Sequence, residues 1–270
     1  FAQCANEQRS SASMTIRSIN GIDHAVVAVK DLDAAAENWK QLGFTISPRG
    51  THSAHMGTGN YTIMLAEDYM ELLGVLTATE HNAPTRAYLD RTGGGIERIA
   101  FTTVTMPDGH RSAAKFATFM WPTEEAPGGV RLFACQHKTR ETVWIPELQQ
   151  HANTARRIAE VLVTTPAPEE DARHLAKMIA GNVGRDTDAF VVPTGFGRAE
   201  FVFLTREAMA KRYGAPVGEL PERAGAGLRL VVRDLAAAKA AVGTKGMASG
   251  DAVVVPPSAA NGVMLALVAR

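Results

Sequence analysis

The chain of 270 residues is predicted to adopt an α+β fold of paired βαβββ units that form two cupped-sheet modules. Three observations predict it. A valine-rich strand pattern running straight into an aspartate-capped, alanine-rich helix occurs at Val27 to Ala35 and again at Val231 to Ala237. The first such helix is followed by three further strand patterns. The length suits two domains, or one domain assembled from repeats, with enough chain to bury a core.

The first strand covers Gly21 to Val29, a short stretch rich in valine and isoleucine. Leu32, Ala35, Ala36, Trp39 and Leu42 then recur at helical spacing, with Asp31 as N-cap and Gly43 as the C-terminal stop. Strands are predicted at Phe44 to Ser47, Asn60 to Leu65 and Tyr69 to Leu76, with turns at Gly57-Thr58-Gly59 and Glu67-Asp68.

A second unit opens with Ile96 to Phe101 and closes with Val130 to Cys135. Between Thr105 and Ala113 it has too few residues for a crossover helix, because parallel strands need a connection of about a dozen residues or more. Either this unit has lost its helix or residues are absent near His110-Arg111; the second is the expectation. The third unit has a strand at Ile158 to Val163, a helix from Pro168 or Glu169 to Ala180, and strands at Ala189 to Val192 and Glu200 to Leu204. The fourth contains Val231 to Ala237. The expected division is an N-terminal module over 14–150, a C-terminal module over 151–270 and an extension over 1–13, with Met14 a natural start.

Composition excludes several function classes. Formal net charge is +0 and aromatic content is 6%, so neither a basic surface nor stacking on bases points to nucleic acid. Two cysteines, Cys4 and Cys135, are too few for a disulfide framework or a cysteine-based zinc site, and a reducing cytoplasm is the expected setting. No apolar run is long enough to span a bilayer, so no membrane partner is expected.

Strand alternation places Ile22, His24, Val26 and Ala28 on one face of the first strand. In the fourth, Tyr69, Glu71, Leu73 and Val75 share a face, while Met70, Leu72 and Leu76 suit packing on a helix. Glu71 is therefore a carboxylate in a strand that is apolar on both sides, and a metal ion is one way to satisfy it. His24 as a core or rim histidine, and Glu71 as a solvated glutamate or a partner of Arg98, are the alternatives. Imidazole with carboxylate suits several first-row divalent ions. His52 and His55 lie in a loop that could close over the cavity or be solvated.

Ile22 to Val27 and Asp68 to Leu73 resemble the two metal-bearing strands of the vicinal-oxygen-chelate superfamily, which includes glyoxalase-like, bleomycin-resistance and dioxygenase proteins. Gly57-Thr58-Gly59-Asn60 resembles the turn before the third strand in its glyoxalase-like branch. Where the second unit of that family often has histidine, this sequence has Arg98. His137 stands where the family places its final ligand.

The resemblance implies a divalent ion (Fe, Mn, Zn, Ni or Co) held by His24, Glu71 and His137, with Glu71 also able to act as base. A small-molecule substrate would chelate the ion through vicinal oxygens, with Arg98 and Asn60 as substrate-binding residues. The reaction would be that of a lyase, an isomerase or a dioxygenase. The competing expectation is a small-molecule binding or sequestering protein on the same fold. Association as a homodimer is a further expectation. In the C-terminal half Glu160 and Gly227 stand where the ligands of the opening strands would be, and neither Phe201 to Phe203 nor Val263 to Leu265 ends in a carboxylate. That half is expected to be structural.

Overall fold

The computed structural model describes residues 19–103, 116–138 and 143–269. The first unit is β1 (Ile19–Val29), α1 (Leu32–Lys40), β2 (Gly50–Thr51), β3 (Thr58–Met64) and β4 (Tyr69–Val75). Helix α2 (Ala83–Thr92) leads into β5 (Gly94–Thr103), β6 (Phe116–Met120) and β7 (Arg131–His137). The third unit is β8 (Ala155–Thr164), α3 (Pro168–Met178), β9 (Gly184–Asp186), β10 (Ala189–Pro193) and β11 (Glu200–Leu204). Helix α4 (Arg206–Tyr213) connects it to β12 (Ala224–Val232), α5 (Leu235–Val242), β13 (Met247–Ser249), β14 (Ala252–Val255) and β15 (Met264–Val268).

In the first half, strand order is β2-β3-β4-β1-β5, continued by β7 and β6; β1 lies parallel to β4 and antiparallel to β5. The second half repeats the plan as β9-β10-β11-β8-β12, continued by β15, β14 and β13. A single residue pair, Gly225 with Ile96, joins the two halves edge to edge. The helix-bearing faces merge into one core that includes Trp39, Phe101, Leu175, Phe201 and Val242. The opposite faces form separate, smaller clusters in each half.

Capping explains where helices start. The Asp31 side chain accepts a hydrogen bond from the Ala34 N–H, and Asp234 accepts from Ala236 and Ala237. Gly43 follows α1 with φ +83°, a left-handed value that glycine adopts at little cost. Phe44 to Ser47 do not form the predicted strand. Ser47 instead uses its hydroxyl to accept from the Thr62 N–H while its own N–H donates to the Thr62 carbonyl, and the following Pro48 has no N–H for a ladder. Leu76 lies beyond the end of β4 and is 41% exposed. The expected loss of residues near His110-Arg111, the extension 1–13 and Cys4 all lie outside the described residues.

Two of the three register shifts between β1 and β5 bear on the site. Between β1 and β5, Ile22 pairs with Phe101 and His24 with Ala100, which leaves Asp23 as an extra residue. Farther along, Val26 pairs with Arg98 and Val27 with Ile96, leaving Glu97 extra. A bulge resets alternation. Ile22 therefore joins Ala25 and Val27 in the helix-side core, not the face of His24 and Val26 on which simple alternation placed it. Among the register shifts of the second half, those at Ala159 in β8 and Ala226 in β12 match these two.

Candidate functional site

The face of the first half away from the helices is built on a small apolar cluster of Val26, Leu73, Ala100, Phe133 and Cys135. The polar side chains collect beside it. His24 and Glu71 approach to 3.5 Å between Nε2 and Oε2, with side chains only 4% and 12% exposed. Parallel pairing of β1 with β4 brings them together, since it sets His24 beside Tyr69 and Val26 beside Glu71.

Asp23 orients this pair. Its Oδ2 lies 2.7 Å from His24 Nδ1 and 2.9 Å from His137 Nε2, and it is fully buried. Burial alone would raise its carboxyl pKa, but the bonds from His137 and His24 outweigh it and hold the group well below the ordinary carboxylate range. With Asp23 holding Nδ1, the His24 ring turns Nε2 toward a carboxylate oxygen. Two electron-rich atoms so placed call for a proton or a cation between them. Two metal–ligand bonds of about 2.0–2.2 Å, meeting near the tetrahedral angle, span about this separation. The pair thus fits a divalent ion, and the carboxylate behind the imidazole is the partner that metal-bound histidines usually have.

Other side chains tighten the arrangement. Asn60 Nδ2 donates to Glu71 Oε1 at 2.8 Å, so Asn60 is first of all the partner of Glu71. The Tyr69 ring stacks on His24 at 4.3 Å, and Phe133 meets the same imidazole edge-on at 5.3 Å. Burial, and then the charges of Asp23 and Glu71, push the Tyr69 hydroxyl pKa well above its usual value. Trp144 packs against His137 at 5.0 Å. His52, a loop residue in the sequence, has Nε2 3.8 Å from Glu71 Oε1 and Nδ1 2.7 Å from the Thr58 hydroxyl. His55 lies instead against His81, ring to ring at 5.0 Å.

His137 is brought to Asp23, with Nε2 2.9 Å from Oδ2. Among the described residues, the one group of three donors whose ligand atoms all lie within 4.8 Å of one another is Asp23, Cys135 and His137. Arg98 pairs across β5 with Val26 and is thus one strand further from Glu71. Its Nε donates to Glu97, and another of its nitrogens to Thr85 Oγ1 at 3.1 Å. Glu97 also takes a hydrogen bond from Arg131, so two guanidinium groups share one buried carboxylate. Strand alternation missed Asp23 and Glu97 because both are bulge residues. Paired registers, not spacing along one strand, reveal them.

The second half has different contents at the matching positions. Glu160, in the place of His24, is ion-paired to Arg229 at 2.8 Å. Leu162 pairs with Val202 as Val26 pairs with Glu71, so an apolar residue replaces the glutamate. Met209, Ala210 and Tyr213 of α4 pack with Leu162, Val202 and Met264, filling that face. No helix among the described residues is long and apolar enough to cross a membrane.

Comparison with known proteins adds the family. A family model described as a glyoxalase-like domain matches residues 22–111 and 102–179, more than half of the chain. Comparison with curated proteins gave no match. Among solved structures, a hypothetical protein from Staphylococcus aureus superposes with TM-score 0.63 at 12% identity, over 91% of this chain and 98% of that one. A fusion of a xylose isomerase-like TIM barrel with 4-hydroxyphenylpyruvate dioxygenase gives 0.58 at 12% identity, over 97% of this chain and 51% of that one. A mutant 4-hydroxymandelate synthase from Streptomyces coelicolor gives 0.56 at 13% identity, over 93% and 92%. At such identities these three likenesses concern the fold. The repeated strand–helix–strand units and the family match together establish that the chain belongs to the glyoxalase-like domain family.

Proposed function

We propose that the protein is a divalent-metal-dependent enzyme of the lyase, isomerase or dioxygenase type, acting on a small molecule that chelates the ion through two vicinal oxygens. The observation that carries this reading is the 3.5 Å approach of His24 Nε2 to Glu71 Oε2 with Asp23 bonded behind the imidazole. When bound, the ion would supply Lewis-acid polarisation of the chelating oxygens. The rest is the work of the chain. Asp23 fixes the His24 tautomer and ring plane, and Tyr69 and Phe133 pack the same ring. Glu71, held through Oε1 by Asn60, keeps Oε2 turned toward the site and is positioned to take a proton from a substrate carbon beside a carbonyl.

Arg98 lies in the same row across the sheet as Glu71, and its cluster with Glu97 and Arg131 carries one net positive charge. This suits an anionic group at the far end of the substrate. Asn60, hydrogen-bonded to Glu71, would also bind the substrate. The 4-hydroxyphenylpyruvate dioxygenase portion named in one structural neighbour supports small-molecule chemistry on this fold. A cytoplasmic setting and a homodimer belong to the same proposal, the dimer being read by sedimentation of the purified chain.

Metal content tests the proposal. One divalent ion per purified chain is expected, lost in His24→Ala and in Glu71→Ala. A folded protein that retains no ion after loading with Fe, Mn, Zn, Ni or Co would leave a small-molecule sequestering protein on the same fold. Arg98's engagement with Glu97 and Thr85 favours that second reading.

A further inference from the structure

The segment that leads from β7 into β8 runs beside a hollow of about 540 Å3 that shares no residue with the His24 and Glu71 site. Its wall combines Ala66 from the β3–β4 turn, Gln149 and Gln150 from the joining segment, Thr154 and Arg156 at β8, and Arg233 just past β12. The Arg156 and Arg233 guanidinium groups have no hydrogen-bond or ion-pair partner among the described residues, and none of the described lining residues is acidic. The acids beside the hollow in sequence are engaged elsewhere, Glu67 with Arg198 and Asp234 with the first turn of α5. By contrast Arg131, Arg212, Arg223 and Arg229 each hold a carboxylate. Two like charges sharing one hollow repel, and an anion between them removes that repulsion.

The backbone around the hollow is held stiffly. Thr154 has φ +58°, a left-handed value that a β-branched residue rarely adopts. Its N–H donates to the His151 carbonyl at 2.9 Å, its hydroxyl donates to the Asp234 carbonyl at 3.0 Å, and its carbonyl accepts the Arg233 N–H at 3.0 Å. Such strain persists only where the surroundings impose it, and it collects at ligand sites. His151 is a fixed part of the wall, with Nδ1 accepting the Thr45 N–H at 3.0 Å and Nε2 donating to the Met64 carbonyl at 2.9 Å.

We propose that this hollow binds a small phosphate monoester, with the phosphate held between Arg156 and Arg233. Each guanidinium is a planar fork that matches two phosphate oxygens. Two such forks balance the nearly −2 charge of a phosphate monoester, where a single carboxylate would balance only one. The Gln149 amide, which has no side-chain hydrogen bond among the described residues, is placed to meet a hydroxyl of the organic part. The volume falls within the roughly 300–1,000 Å3 usual for small-molecule sites. The wall draws on both halves and the segment between them, so the bound ligand ties them together and stabilises the fold. The site needs no metal.

The test uses the full chain, freed of metal and titrated calorimetrically at pH 8 and constant ionic strength with inorganic phosphate and, separately, with glycerol 3-phosphate. The expected result is one site per chain for each, tighter for glycerol 3-phosphate, with a thermal midpoint that rises with ligand concentration. Arg156→Ala and Arg233→Ala should each weaken both ligands about 10-fold or more. Arg156→Lys should recover only part of the loss, because an ammonium group lacks the fork. Gln149→Ala should weaken glycerol 3-phosphate and leave phosphate unchanged. Absence of saturable binding by the wild type, or binding unchanged when Arg156→Ala and Arg233→Ala are combined, would overturn the proposal. Equal affinity for the two ligands would overturn the organic part and leave a bare anion site.

Discussion

Asn60 shows how one side chain can set the behaviour of another. Its amide holds Glu71 Oε1 at 2.8 Å and so leaves Oε2 as the oxygen turned toward His24. In Asn60→Ala the carboxylate loses that bond and its direction. On the proposed metal reading, affinity for the divalent ion should fall about 10-fold or more, as measured by calorimetric titration, with the fold unchanged by circular dichroism. Asp23 illustrates a different lesson about residues. Read along the strand it belongs on the opposite face to His24, yet the bulge turns both inward. His24 and Glu71 were legible because each interrupts an apolar pattern. Asp23 and Glu97 were not, because the signal that exposes them is the pairing with a neighbouring strand, which no single strand's sequence contains.

Among the elements, β1, α1, β3, β4, β8, α3, β11 and α5 follow from valine-rich runs, helical spacing and the caps Asp31 and Asp234. Their physics is local and the chain carries it openly. Phe44 to Ser47 failed as a strand because a serine side chain and a proline replaced ladder bonds, a choice settled by contact with Thr62. The connecting helices α2 and α4 were not foreseen, although Thr205 caps α4 and Gly93 and Gly214 end the two helices. Their weak apolar periodicity hid them. Helix α4 matters because Met209, fully buried, fills the sheet face that in the first half carries polar chemistry. Met209→Ala should cost roughly 2–5 kcal/mol, read as a lower urea midpoint, and should leave metal binding in the first half unchanged.

At the scale of the molecule, the two halves are held by more than their merged core. The turn between β3 and β4 reaches into the second half, where Asp68 accepts the Ile158 N–H at 3.0 Å and Arg198 contacts Glu67. Burial pushes the Asp68 pKa up to about 7, against the lowering effects of the Ile158 bond and of Arg198 and Arg157. An acid whose folded pKa is raised binds more protons folded than unfolded between its ordinary value, about 3.9, and its raised one. Stability from this group is therefore full at low pH and is lost as pH rises toward and through 7. Asp68→Asn should flatten that slope and be more stable than the wild type at pH 8, with little gain at pH 5, as measured by denaturant midpoints.

The bulges recur at matching places, Asp23 and Glu97 in one half and Ala159 and Ala226 in the other. A bulge cannot be added or erased by exchanging one side chain, because an inserted or deleted residue turns the rest of its strand inside out. The side chain riding on it can change freely. The chain thus carries two castings of one mould, one dressed with acids and imidazoles, the other with alanines. Its second half repeats the bulged backbone and sets different side chains on it.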